Sequence, residues 1–447
     1  MIELSTVSDV GNVGLFSKGD RAAYLKNLLH LRSPLPESLI DLNVIRDRAA
    51  ARVQELAIPS TRDEEWRFAD LSSLLKVNFQ TVDDQSSLSF PHIQPFILPE
   101  AISSRLVFVN GLYDPALSAV DGLPDGILAT NLATAVAFKE FSTQLAQQPG
   151  AEEVFTTLNT ASFTDGALIW VEKDQVIDIP IQILYVSTAT QAAIAHPRCL
   201  VIAQPGSKLT LIEEFVALHE GIYFTNSVTE IAVLDNAEVN HTRIQRDSSE
   251  SIHIGKTVAT QARDSRYTCN AISLGSKLSR HNLEVYQTGE QTDTVLNGLT
   301  MITDDQVGDT HSLISFTKPH SISHQIHKCI VDDHAHGIFN GKVLVPKAAQ
   351  LTNAGQLSKT LLLSPKARID TKPQLEIVAD NVKCAHGATV SQLDNDEVFY
   401  LQSRGIDEVS ARKLLVYAFA YEVINQIPVA SLRDQLADLA RPQQAHI

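Results

Sequence analysis

The chain has 447 residues, of which 44% are hydrophobic and 20% charged, a composition typical of globular proteins with a large core. Its formal charge of −16 argues against broad binding to nucleic acid, because the phosphate backbone would be repelled. The first residues lack a basic segment followed by an apolar run, and no stretch approaches the roughly 18 apolar residues of a membrane span, so we expect neither a signal peptide nor a membrane protein.

The cysteines indicate a reducing compartment. Cys199, Cys269, Cys329 and Cys384 are too few and too widely spaced to form a disulfide framework, and none belongs to a CxxC pair. We therefore expect the cytoplasm, or a plastid-like stroma if the protein is organellar.

Residues 1–165 are predicted as a mostly helical N-terminal region. Apolar residues recur at nearly helical spacing in three stretches, 20–31, 38–57 and 132–159. A run rich in Ser, Asp and Pro over 80–101 is typical of a linker, and 106–111 is predicted as a short strand that ends in a turn.

Residues 166–392 change to the alternating pattern of short strands. Small polar residues precede many of these strands, and the first two such openings begin at Gly206 and Asn236. No long helix intervenes, which argues against βαβ winding and leaves a parallel β-helix or an all-β sandwich. The loose repeat and the scarcity of tight hairpin turns favour the β-helix, whose open ends need caps that the terminal helices could provide.

Residues 393–447 are predicted as a C-terminal helical domain. A short helix over 394–402 is followed by a break at Gly405 and by a plausible N-cap, Asp407. The next helix carries a wide apolar stripe that would serve either core packing or a partner, formed by Leu414, Leu415, Ala418, Phe419, Val423 and Ile427. Pro428 ends this helix, and 441–447 is expected to be loose.

Cys384 and His386 are the first candidates for chemistry. Two residues apart on a strand, they share a face at roughly 6.6 Å along the chain and could contribute two ligands to zinc, iron or an iron–sulfur cluster. Two ligands complete no such site, so the others would come from elsewhere in the chain or from a partner. The alternative is that Cys384 is a small core residue and His386 a satisfied polar one.

A dense group of histidines suggests a different function, a stand-alone β-helix metalloenzyme. Near Cys329 the sequence places His334 and His336 as an HxH pair, within a set formed by His311, His320, His324, His327, His334 and His336. A carbohydrate-active β-helix enzyme is also open, although no acid pair is singled out. The phosphate-loop, GxGxxG, GxSxG and HExxH motifs are all missing from the sequence.

Several runs together resemble the SufB/SufD family. The residues NGKV at 340–343 and AAQLTNAGQ at 348–356 are similar to its FxGxixVxxxAQxTxAxQ run. KCAHGAT at 383–389 and FYLQSRGI at 399–406 resemble the KCSHGAT and FYLxSRGI signatures of its SufD branch, whereas the SufB branch typically has HEAT at 386–389. DEEWRF at 63–68 and FVNG at 108–111 are further matches. Ala385 and Ser391 depart from the usual Ser and Gly, and Cys329 stands where members often have Lys.

The resemblance implies a fold and a set of partners. It implies a mainly β protein, a right-handed parallel β-helix flanked by N-terminal and C-terminal helical regions, acting as a non-catalytic scaffold of the SufBCD complex in iron–sulfur cluster assembly. SufB would pair through the β-helix edges, with a homodimer possible in its absence. The nascent cluster, held by no single chain, would lie near His386, a possible metal ligand shared with SufB, and near Cys384. The SufC ATPase would dock on the C-terminal helices, at Tyr400, Arg404, Leu415 and Phe419.

Overall fold

A computed structural model describes residues 16–35, 37–81, 88–135 and 139–440. The predictions for 1–15, for 82–87 within the expected linker and for the tail 441–447 lie outside the described residues. The described chain is mainly β, with helices toward both termini. None of the described helices combines the length and the apolar character needed to cross a membrane.

The helices fall into an N-terminal and a C-terminal group. Their bounds are α1 Lys18–His30, α2 Asn43–Val53, α3 Ser72–Leu75, α4 Phe90–Ile93, α5 Val154–Ser162, α6 Asn395–Ser403, α7 Glu408–Ile424 and α8 Ala430–Ala440. The first strands lie among the N-terminal helices, at β1 Gln80–Thr81, β2 Arg105–Val109, β3 Leu112–Tyr113 and β4 Ile127–Asn131.

The remaining strands follow one another without a helix between them. They are β5 Ala167–Val171, β6 Ile181–Ser187, β7 Ala193–Ala195, β8 Arg198–Ala203, β9 Lys208–Ala217, β10 Tyr223–Val233, β11 Glu238–Asp247, β12 Ile252–Gln261, β13 Arg266–Gly275, β14 Leu278–Gln287, β15 Asp293–Ile302, β16 Val307–Phe316, β17 Ile322–Val331, β18 His336–Val345, β19 Asn353–Leu362, β20 Arg368–Ile377 and β21 Lys383–Ser391.

From β8 onward, successive strands alternate between two sheets, and each strand pairs in parallel with the next strand of its own sheet. The even sheet runs β20-β18-β16-β14-β12-β10-β8-β5-β4, and the odd sheet runs β21-β19-β17-β15-β13-β11-β9-β6-β2-β3. Pairing partners lie one coil apart, so that His241 aligns with Cys269, and Gln356 with His386. The predicted parallel β-helix is confirmed, and the sandwich is excluded.

The space between the two sheets, which we call the lumen, holds stacked rows of buried side chains. One row of the odd sheet passes through every coil, and its members are Ile181, Leu211, His241, Cys269, Leu296, Gln325, Gln356 and His386. All of these except His386 are buried. Polar members are tolerated where they pair with one another, as when the Gln356 amide donates to Gln325 Oε1 at 2.9 Å.

The terminal helices cover the outer faces of the sheets rather than the far end of the coil. Ala420 and Ile424 of α7 pack with an apolar row on the odd sheet that includes Ile244, Ile272 and Leu299. On the even sheet, the N-terminal helices pack on residues such as Phe224, Ile252 and Ile254. The expectation that helices cap both ends therefore fails at the last coil. The helices pack on the apolar rows of the outer faces instead, because each row would otherwise be exposed to water.

The N-terminal region is less helical than its sequence pattern predicts. The described parts of 80–101 contain β1, α4 and two single turns of 3₁₀ helix, and they bury Ile93 and Leu98. The Leu98 N–H donates to Gln182 Oε1 at 3.1 Å, which holds this segment against the β-helix. The stretch 132–159 yields a 3₁₀ turn, Lys139–Thr143, and the first part of α5. Strand β2 lies where a strand is predicted, and it belongs to the odd sheet.

Candidate functional site

The last coil of the β-helix is paired on one side only. Among the described residues, β20 pairs with β18 and β21 pairs with β19, and neither has a strand on its other side. Along each unpaired edge, the backbone N–H and C=O groups of every second residue can therefore bond to a further strand. Apolar side chains are exposed along this edge, at Ile377, Val378 and Val390. An uncovered edge with apolar residues is typical of a surface that receives another chain.

Cys384 and His386 lie on the edge strand β21, where their spacing places them on one face as expected. Cys384 is in register with Ala354 and packs against the apolar core of the lumen. It is half-buried, and burial raises the pKa of its thiol, although a backbone hydrogen bond at Ala354 acts in the opposite direction. His386 is in register with Gln356 and is exposed. The pair therefore stands at the mouth of the lumen.

A shallow groove of about 380 Å³ passes His386 and reaches back two strands to His324. His324 aligns with Gly355 and Ala385 across the sheet, so small residues separate it from the edge. A Cβ added at Gly355 would lie 3.5 Å from His324 Nδ1. The groove exists because Gly355, Ala385 and Gly387 provide almost no side-chain volume. His324 and His386 are both visible in the sequence, but nothing in the sequence indicates that they border the same groove.

The histidine group does not form a metal centre. Among the described residues, no three or more His, Cys, Asp or Glu side chains are placed to hold a metal ion. His327 is buried and stacks on Phe339 with ring centres 4.5 Å apart, and burial lowers its pKa to about 3. His311 contacts Asp309 and Glu65 at 3.1 and 3.3 Å.

The predicted HxH pair is wrong. His334 lies in the turn before β18 and contacts Lys366 Nζ at 3.1 Å, whereas His336 begins the strand and contacts Asp370 at 2.7 Å. The two residues therefore do not belong to one strand face, because strand alternation starts only at His336.

The C-terminal helical hairpin presents a second surface. Asp394 and Asp407 cap α6 and α7 through backbone N–H groups, and Gly405 makes the turn between them with φ of 89°. On the side away from the β-helix, Phe399 is 69% exposed and Tyr400 is 57% exposed.

A depression of about 420 Å³ lies beside Tyr400 and is bordered by Leu401, Leu415 and the carboxylates Asp396 and Glu397. The Arg404 guanidinium carbon lies 5.3 Å from the centre of the Tyr400 ring. Three of the four predicted SufC contacts, Tyr400, Arg404 and Leu415, thus lie at or beside this depression.

Phe419 has a different environment from the other three. It is half-buried against the β-helix, with Lys328 Nζ 4.2 Å from the centre of its ring. The same Nζ donates to the Phe419 carbonyl at 2.8 Å and pairs with Glu422. The buried Lys328 of β17 needs a hydrogen-bond acceptor, and the Phe419 carbonyl provides one. This contact anchors α7 to β17. Of the four predicted SufC contacts, Phe419 is therefore the one that packs against the β-helix and does not border the depression.

Comparison with known proteins gives the family. The sequence model described as "SUF system FeS cluster assembly, SufBD core domain" matches residues 185–419, and that of the "SufBD protein N-terminal region" matches 32–183. An iron–sulfur cluster assembly SufBD family protein of Synechocystis is 46% identical over 403 residues, 88% of each chain. The chloroplastic protein ABCI7 of Arabidopsis thaliana is 35% identical over 415 residues, 90% of this chain and 86% of its own.

The iron–sulfur cluster assembly protein SufD of Escherichia coli is 30% identical over 409 residues, 87% of this chain and 90% of its own. The two family matches divide the chain near β6, so that the core match contains the long coils and the C-terminal hairpin as far as Phe419. The chain belongs to the SufBD family of iron–sulfur cluster assembly proteins.

Proposed function

We propose that this chain is a SufD-like, non-catalytic scaffold that joins SufB through the last coil of its β-helix and SufC through its C-terminal hairpin. The observation that carries the proposal is the unpaired last coil with His386 exposed on its edge strand. The alternative that the sequence left open, a stand-alone metalloenzyme, has no three-ligand group in the described part of the chain to support it.

The last coil would receive SufB edge to edge. Both free strands, β20 and β21, are about ten residues long, so a partner coil could extend the two parallel sheets without a change of register. Apolar side chains exposed at Ile377, Val378 and Val390 would then be buried. Without SufB, a second copy of this chain would use the same edge and form a homodimer.

The nascent cluster would be held jointly by the two chains. An exposed imidazole and a half-buried thiol supply an incomplete set of ligands, and an iron–sulfur cluster needs a fuller one that is mostly cysteine. SufB would supply the rest across the new interface. The raised pKa of Cys384 keeps its thiol protonated near neutral pH, which makes His386 the stronger candidate ligand of the pair.

SufC would dock on the outer side of the hairpin. Tyr400 offers an exposed aromatic ring, and the neighbouring depression is bordered by the carboxylates of Asp396 and Glu397. Aromatic anchors beside a small pocket are typical of energetically important interface residues. Because the sequence lacks a phosphate loop, any ATP dependence would be supplied by this partner.

Co-expression with SufB and SufC tests the proposal. We expect the three chains to purify together and the complex to assemble a cluster when iron and sulfide are supplied, as followed by its visible absorption. His386→Ala should retain the complex but lose most of the cluster. His219→Ala, at another exposed histidine far from the last coil, is the matched control and should behave as the wild type.

Two results would overturn the proposal. One is a purified chain that remains monomeric in the presence of SufB and SufC at micromolar concentrations. The other is a His386→Ala complex that assembles cluster as fast and as fully as the His219→Ala complex.

A further inference from the structure

One backbone conformation recurs at the corner where the chain passes from the even sheet to the odd sheet. Seven residues along this corner have positive φ, between 56° and 75°. Each of them donates its backbone N–H to a carbonyl of the following coil, at 2.7–3.2 Å. We call these residues the corner ladder, and its members are Asp174, Gly206, Asn236, Asp264, Gln291, His320 and Leu351.

Leu351 is the unusual member of the corner ladder. Glycine adopts the left-handed conformation freely, and Asn, Asp and His adopt it more often than other residues, so five of the seven members suit it. Gln291 is polar and exposed. In leucine the same conformation brings Cβ close to the following carbonyl oxygen, which is costly for a bulky side chain. Local backbone preference therefore does not explain Leu351.

Hydrogen bonds on both sides hold Leu351 in this conformation. Its N–H donates to the Asn381 carbonyl of the last coil at 2.7 Å. From the preceding coil, the His320 N–H donates to the Gln350 carbonyl at 3.0 Å. The stacked coils thus determine the backbone at Leu351, and they leave the residue 47% exposed.

Apolar packing within the chain does not account for Leu351 either. The residue belongs to none of the apolar clusters that the described residues form. The isolated chain therefore gains little packing in return for the strained backbone. Residues held in such conformations occur preferentially at functional sites, so the strain at Leu351 suggests a role outside the isolated chain.

Other apolar residues are exposed near Leu351. From residue 223 to residue 321 no large apolar side chain is exposed, but the last coils expose four on or beside this corner, namely Ile322, Leu351, Ile377 and Val378. Val378 lies on the same corner one coil beyond Leu351 and is 65% exposed. Ile377 ends β20, which is one of the two strands with a free edge. The exposed corner therefore adjoins the edge that would receive SufB.

We propose that SufB covers this corner as well as the free edge, and that Leu351 is the specificity-determining anchor of the contact. The inference rests on the proposed pairing with SufB through the last coil. SufB would extend back over the corner by one coil spacing, about 4.8 Å, and present an apolar surface to Leu351 and Val378. Burial of these side chains would offset the backbone strain at Leu351.

The corner contact would give the edge its selectivity. Backbone hydrogen bonds along a free edge accept any compatible strand and carry little information about the partner. An apolar side chain at a fixed place beside the edge requires a matching surface on the partner as well. SufB would satisfy both requirements, whereas an unrelated strand would satisfy only the first.

Leu351→Asn tests the proposal because its two expected effects have opposite signs. Asparagine suits the left-handed conformation, so the melting temperature of the isolated chain should rise by about 1–2 °C in scanning calorimetry. The apolar contact would be lost, so the dissociation constant for SufB should increase about tenfold in calorimetric titration. A leucine with only a structural role would not produce this combination.

Two further variants separate the side chain from the backbone. Leu351→Met keeps a large apolar side chain in the same backbone conformation and should bind SufB as the wild type does. Gln291→Asn places asparagine at the ladder position two coils away, where φ is 57°, and should leave the affinity for SufB unchanged.

The outcomes distinguish this inference from the proposed function. If the wild-type chain does not bind SufB at micromolar concentration, the pairing through the last coil is wrong and the role of Leu351 is wrong with it. If the wild type binds and Leu351→Asn binds equally well, the pairing stands and the corner contact is wrong. A lower melting temperature for Leu351→Asn, or an effect on self-association of the chain alone, would also overturn the inference.

Discussion

Arg280 connects the N-terminal region to the even sheet, and Arg280→Met should weaken that connection strongly. The side chain is 3% exposed. Its Nη1 donates to Asp309 Oδ2 at 2.8 Å and to the Glu65 carbonyl at 2.7 Å, and its guanidinium carbon lies 3.8 Å from the centre of the Trp66 ring. One cation thus satisfies a buried carboxylate on β16 and holds the DEEWRF segment in place.

The size of the effect follows from what the replacement leaves behind. Removing one partner of a buried ion pair typically costs about 3–5 kcal/mol, because the other charge remains buried. Asp309 is itself buried, but His311 Nε2 lies 3.1 Å from its Oδ1 and would compensate in part. Methionine would keep apolar contact with Trp66 while losing the cation–π attraction, worth about 1–2 kcal/mol when desolvated. We expect a net loss of about 3 kcal/mol.

Urea unfolding followed by tryptophan fluorescence measures this loss, because Trp66 is one of only two tryptophans and contacts Arg280 directly. A double-mutant cycle with Asp309→Asn isolates the charge pair. The double variant should recover at least half of the loss, since no unpaired charge remains. A loss below about 1 kcal/mol for Arg280→Met, or a double variant as unstable as the sum of the two single changes, would refute the reasoning.

The remaining predictions concern pH, the groove and the hairpin. Burial opposes the charge on Asp309, but His311 and Arg280 hold its pKa below its usual value. Its contribution to stability is therefore present above about pH 4 and should be lost in acid as the pH falls through the folded-state pKa, whereas Asp309→Asn should flatten that part of the curve. Burial lowers the pKa of His311, but the charge and hydrogen bond of Asp309 and the hydrogen bond to Glu65 together outweigh it, so the pKa lies above its ordinary value. The contribution of His311 to stability is therefore complete below about pH 6.5 and should decline as the pH rises through the pKa of the folded protein. His311→Gln should remove this pH dependence. Gly355→Leu should fill the groove beside His324 and reduce cluster assembly with little change in melting temperature, because its Cβ would meet His324 at an ordinary contact distance and the rest of the side chain would enter the groove that Gly355 lines. An unaltered assembly rate would count against a role for the groove. Tyr400→Asp should weaken SufC binding about tenfold or more, whereas Gln402→Asp, which adds the same charge to the same helix, should not; equal effects would argue against the proposed docking surface.

The coil itself could be predicted from the sequence because its cause is local. Alternating strands, a loose repeat of their polar openings and the lack of intervening helices are sufficient to favour stacked coils over a sandwich. The placement of the helices could not be predicted in this way. The apolar row formed by Ile244, Ile272 and Leu299 becomes continuous only once the coils are in register. Helix α7 packs on this row.

The site could be predicted only in part, for the same reason. The shared face of Cys384 and His386 follows from strand alternation, but the half-burial of Cys384 depends on β21 being the last strand. Lys328 and Phe419 are 91 residues apart, and nothing near either residue indicates their contact. The HxH spacing of His334 and His336 suggests one strand face. The strand begins only at His336, and the spacing does not reveal that boundary.

The unpaired edge of β20 and β21 also limits how much of this protein a cell can contain without aggregation. A parallel edge with exposed apolar residues accepts any compatible strand, including one from an identical or incompletely folded molecule. If SufB covers this edge as proposed, molecules made in excess of SufB would be the ones most prone to aggregate. Synthesis in fixed proportion to SufB, or rapid removal of the surplus, would then keep the edge occupied.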